Sequence, residues 1–127
     1  MTQSQAVKYW LKSAEKNIKV AQDNFKLKHY DWCLFFWQLA IEKILKGIVT
    51  KKGLAAPPIH NLYKLAKIAQ IPVDEKNKEM LNEITTFNIE ARYDDYKFSF
   101  YKKATPEYTK KWIKNCQAVY LWLQKFI

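Results

Sequence analysis

The stretch that most constrains this chain is residues 31–53, DWCLFFWQLAIEKILKGIVTKKG. It opens on Asp31, whose carboxylate can accept from the unpaired amides of a first helical turn. It closes on Gly53, suited to the left-handed position just past a helix, with Lys51 and Lys52 well placed for the negative end of the helix dipole. Between these signals the run is apolar almost all round, the pattern of a helix buried at the centre of a bundle. Its length would suit a membrane span, but Gln38, Glu42, Lys43 and Lys46 interrupt it too often. A soluble helical protein packed round this one helix is the expectation.

At about 100° per residue, Asp31, Gln38, Glu42, Lys46 and Thr50 fall in one narrow arc, with Lys43 at its margin. Glu42 precedes Lys46 by four residues, the favourable order for a helical ion pair. The simpler reading is a solvated seam through which the central helix meets water. The sharper one is a polar wall of a binding groove or of a dimer interface.

The 127 residues suit one domain, residues 1–127, able to bury about two thirds of the surface the unfolded chain exposes. With 5 Trp, 8 Tyr and 7 Phe, the core needs no disulfide to be large. Cys33 and Cys116 both lie in apolar helical patterns and read as reduced core residues of a cytoplasmic protein. The first residues, MTQSQAVKYW, carry no basic-then-apolar signal, and no segment reads as a membrane span.

A net charge of +10 points to anionic partners, although the lysines are spread along the chain instead of forming a block. One contrast is sharper. Of 22 basic residues only Arg92 is arginine. In a chain that otherwise uses lysine, that position reads as one requiring the planar fork that grips carboxylate or phosphate with two parallel bonds.

Taken in order, a first helix runs from near Ser4 to about Lys28, with Val7, Trp10, Leu11, Ala14, Ile18, Ala21 and Phe25 as its apolar stripe. A short link predicts an antiparallel hairpin with the central helix. Pro57 and Pro58 impose an extended connection. His60 or Asn61 then caps a short third helix that stops before Pro72, and Asp74 caps a fourth reaching about Glu90. From Ala91 to Ala104 the periodicity fails, leaving a polar-aromatic loop of the length that is usually functional. Thr105 and Pro106 open the last helix. The architecture is all-α, an antiparallel up-and-down bundle of four long helices plus one short one.

No glycine-rich phosphate loop, zinc spacing or nucleophile elbow is present, so no cofactor and no metal are expected. Neither histidine pairs with a credible nucleophile. Asp94 and Asp95 could touch a divalent ion, but two carboxylates are too few for a dedicated site.

The order of segments resembles the HEPN domain family (higher eukaryotes and prokaryotes nucleotide-binding). The resemblance rests on the central helix Trp-Gln-Leu-Ala-Ile-Glu-Lys-Ile-Leu-Lys-Gly, on Pro57-Pro58 followed by His60-Asn61-Leu62, and on Ala91-Arg92-Tyr93-Asp94-Asp95. It implies a dimeric helical bundle. It also implies a partner, a minimal nucleotidyltransferase, in a two-component system often of toxin–antitoxin type.

Many members of that family are metal-independent ribonucleases whose motif is Arg, four to six residues, then His. Here the corresponding positions hold Lys97, Phe98 and Ser99, none of which replaces imidazole as a proton shuttle near neutral pH. The family's Arg-Tyr-Pro-Asp proline is likewise replaced, by Asp94.

The expected function is therefore a nucleotide- or nucleic-acid-phosphate-binding subunit. Arg92 would sit on the phosphate and Lys46, beside Glu42, would add a point charge. Tyr93 or Tyr96 would stack on a base, and Asp95 would hold Arg92 or a ribose hydroxyl. The competing role for Arg92 is a structural ion pair with Asp95 or Glu42. A ribonuclease with a degenerate site, keeping Arg92 as its catalytic residue, is the alternative. A structural or interaction module acting only through its dimer and a protein partner is a third reading.

Overall fold

The computed structural model describes residues 1–88 and 97–127, and among them every regular element is helical. The elements are α1 (Gln3–Lys26), α2 (Tyr30–Lys51), α3 (Leu62–Ile68), α4 (Glu75–Thr85), α5 (Lys97–Lys103) and α6 (Pro106–Gln124). The all-α bundle expected from the sequence is present.

The central helix is α2. Of its 22 residues, thirteen are buried, so α1, α3, α4, α5 and α6 are all arranged against it. α1 and α2 run antiparallel, because Gln3 at the start of α1 donates to the carbonyls of Thr50 (2.8 Å) and Lys51 (3.1 Å) at the end of α2. Carbonyls of a last turn lack the helical amide four residues on, so one side chain both aligns the hairpin and caps α2. Gly47 sets how closely the pair approaches. A Cβ placed there would stand 3.3 Å from the Cβ of Trp10, tighter than ordinary side-chain contact.

Local signals fix most helix ends. Thr2 and Gln5 exchange bonds as a capping box at the start of α1. Asn61, Asp74 and Thr105 each accept an amide of the first turn of α3, α4 and α6. Gly53 adopts φ +82° past the end of α2.

Three expectations need correction. Asp31 is not the cap of α2: the helix begins at Tyr30 with His29 before it, and Asp31 bonds the neighbouring amide of Trp32. Tyr30 gains a ring contact with Phe25 (5.6 Å), which carries the helix one residue further back.

The fourth helix stops at Thr85, short of Glu90. The Thr85 and Thr86 hydroxyls turn back onto the carbonyls of Leu81 (2.8 Å) and Glu83 (2.6 Å), and Phe87 swings into the core.

The last part of the expected 91–104 loop is a helix, α5, so the bundle has two short helices of seven residues instead of one. Seven residues are too few to print a periodic stripe. What holds α5 is tertiary: Phe100 is buried against Phe87 at 5.7 Å.

A second tether fixes its end. Lys103 lies 2.9 Å from Oε2 of Glu83 on α4, and the Tyr108 hydroxyl of α6 donates to the same oxygen. Burial works to raise the Glu83 carboxyl, but Tyr108, Lys103 and Lys111 outweigh it and hold it below the ordinary carboxylate range. The phenol of Tyr108 is driven the other way, by burial first and then by the carboxylate it bonds.

Cys33 and Cys116 are buried free thiols; burial pushes the Cys33 thiol up to about 12 and Cys116 well above its usual value. Among the described residues no helix is long and apolar enough to cross a membrane.

Candidate functional site

The polar arc of α2 is not a solvated seam. Gln38 is fully buried, and Glu42 and Lys46 are only 5% and 8% exposed. Spacing placed these residues on one face; the structure covers that face with the 60–61 connection and with Asn88, beyond the end of α4.

Glu42 is the hub. Its Oε2 accepts from the Lys46 ammonium at 2.9 Å, and its Oε1 accepts from the Gln38 amide at 3.1 Å. The same Oε1 lies 3.0 Å from Nδ1 of His60. An ionised carboxylate can only accept, so beside it Nδ1 carries the proton and donates. Gln38 then ties the cluster to its surroundings. Its amide also donates to the His60 carbonyl (3.1 Å), and its oxygen accepts from the Asn88 amide (2.7 Å).

Lys46 is held by more than charge. Its ammonium stands 5.8 Å from the centroid of the Trp10 ring, close enough for a cation–π attraction. An ammonium has three donors, and Glu42 takes one. At the margin, the Lys43 ammonium is pushed below the usual lysine value by burial and by the charges of Lys46 and Lys16, against the pull of Glu42.

Burying an ion pair costs desolvation that attraction alone rarely recovers, and here extra hydrogen bonds satisfy the remaining lone pairs of Glu42. Such a cluster can present a fixed cation, backed by an oriented carboxylate and imidazole, to an anion. It cannot hold a metal: among the described residues no three His, Cys, Asp or Glu side chains gather.

Of the expected site residues, Glu42 and Lys46 are brought into contact. Arg92, Tyr93, Asp95 and Tyr96 lie outside the described residues. Asn61, not His60, caps α3, so His60 holds the hydrogen-bonded role instead. Gln38 and Asn88 complete the cluster without having been joined to it by sequence. Asn88 had no signal of its own, because its partner is 50 residues away in the chain.

Residues 7–126 match the family described as the HEPN domain. The crystal structure of TT1696 from Thermus thermophilus superposes with a TM-score of 0.79, covering 95% of this chain and 98% of that one. The two sequences are 24% identical, a likeness that speaks for the fold alone. No curated protein matched the chain.

Proposed function

The chain belongs to the HEPN domain family, and from that premise we propose that it is a subunit binding the phosphate of a nucleotide or nucleic acid. It acts as a homodimer with a minimal nucleotidyltransferase partner, in a two-component system of toxin–antitoxin type. The observation that carries the anion-binding part is the buried Glu42–Lys46 pair with His60 behind it. A stable fold does not need a buried charge pair at the heart of its central helix, and an apolar pair of like volume would serve at least as well.

The described chain leaves this cluster at Asn88, four residues before Arg92 in the sequence. In the proposed complex Arg92 takes two phosphate oxygens in parallel and Lys46 adds a single charge. Glu42 keeps Lys46 extended toward the ligand. Tyr93 or Tyr96 stacks on the base, and Asp95 holds Arg92 or a ribose hydroxyl.

Calorimetric titration with nucleoside mono- and triphosphates tests this. Wild type binds and Arg92→Lys binds more weakly, because lysine loses the bidentate grip. Equal binding by the two proteins would overturn the proposal.

A metal-independent ribonuclease remains the second reading, and one observation favours it. The Glu42 carboxylate orients the His60 imidazole through Nδ1 at 3.0 Å, an arrangement that suits a ring nitrogen to proton transfer although the family's motif histidine is missing. Labelled RNA incubated with wild type and with Arg92→Ala decides it: without cleavage that depends on Arg92, this reading is removed.

A further inference from the structure

On the side of α2 away from Glu42, a shallow groove of about 430 Å³ runs between α1 and α6. Ile18, Trp37 and Tyr120 form its apolar lining, and Leu121 stands on its edge 66% exposed. Three glutamines and Glu15 complete it. No lysine lines it, in a chain of net charge +10. Its α6 wall belongs to residues 115–124, NCQAVYLWLQ, a run with no charged side chain at all. The lysines of α6 stand before it, at 110, 111 and 114, and another follows it, at 125.

We infer that this groove is the face on which two copies of the chain pair. Two bodies of the same strong charge approach most easily where neither carries lysine, because like charges set opposite one another cost several kcal/mol. The neutral surface has the required shape. A protruding apolar side chain, Leu121, stands directly beside an apolar groove, so two copies related by a twofold axis can each place the one in the other. An open trough of this kind suits a helix laid along it better than a small ligand, which needs a pocket that encloses it.

The inference rests on the dimeric part of the function proposed above and names its face. Trp37 and Glu42 are five residues apart on α2, which places them about 140° apart around the helix. The anion site then belongs to a single protomer, not to the seam between two.

Light scattering on the purified chain tests both parts separately. Wild type should have about twice the 15.2 kDa of one chain, and Leu121→Glu should halve that mass with the helical circular dichroism unchanged. Gln117→Lys with Gln124→Lys, both at exposed positions, should raise the dimer dissociation constant at low salt and recover toward wild type at high salt, as screening restores approach. A dimer that survives Leu121→Glu intact, or is indifferent to the added lysines at every salt concentration, overturns the face while leaving a dimer in place. A wild-type monomer overturns the face and the dimeric reading together.

Discussion

Two carboxylates in this molecule hold a lysine and a second donor, and they do so in opposite ways. Glu42 takes Lys46 and Gln38 from its own helix, and its side chain is 6% exposed. Glu83 takes Lys103 from α5 and Tyr108 from α6, and its side chain is 29% exposed. The second cluster ties three helices together, so its structural purpose is visible in its connectivity. The first joins residues that α2 already holds in register, with His60 added from the connection. A buried charge that fastens few separate elements points away from architecture and toward binding, which is why the two clusters are assigned different roles.

Removing Glu42 is the most damaging way to probe that contrast. Glu42→Ala leaves the Lys46 ammonium buried without its counter-charge, and urea unfolding should register a loss of about 3–5 kcal/mol. Adding Lys46→Met to the same chain should recover much of the loss, since an apolar side chain then fills the space. If the double variant is no more stable than Glu42→Ala alone, the pair contributes to the fold in a way the comparison denies.

Tyr108→Phe deletes one donor to Glu83 while Lys103 stays, and should cost about 1–2 kcal/mol in the same measurement. A cost as large as that of Glu42→Ala would erase the distinction between a partly solvated tether and a buried hub.

Acid sharpens the contrast further. The Glu83 carboxyl is held below its ordinary value of 4.5, so its contribution is complete above that pH and is lost as pH falls through the lower folded value. The stability gap between wild type and Glu83→Gln should therefore be constant near neutrality and close progressively below about pH 4.5. A gap that widens on acidification would contradict the assigned direction.

The mildest change is Lys103→Ala. That side chain is 46% exposed, so its loss should cost less than about 1 kcal/mol and should shrink further in high salt.

Helix ends were the most legible part of this chain, and particular residues show why. Asn61, Asp74, Thr105 and Gly53 act through atoms within three or four positions of themselves, so spacing in the sequence is enough to read them. α5 was illegible for the complementary reason: its anchor, Phe100 on Phe87, is a contact across the bundle. The candidate site fell between these cases. The arc of Gln38, Glu42 and Lys46 follows from helical geometry, but whether that arc meets water or protein does not.

The sequence by itself determined that a helical bundle forms round residues 31–53, because periodicity and capping are local properties of neighbouring side chains. Only the tertiary structure decided the state of the polar face on that helix. His60, 18 residues from Glu42, and Asn88, 50 residues from Gln38, come to lie over it through packing. Water is excluded by atoms distant in the chain, and that exclusion turns an ordinary helical ion pair into a buried, oriented charge.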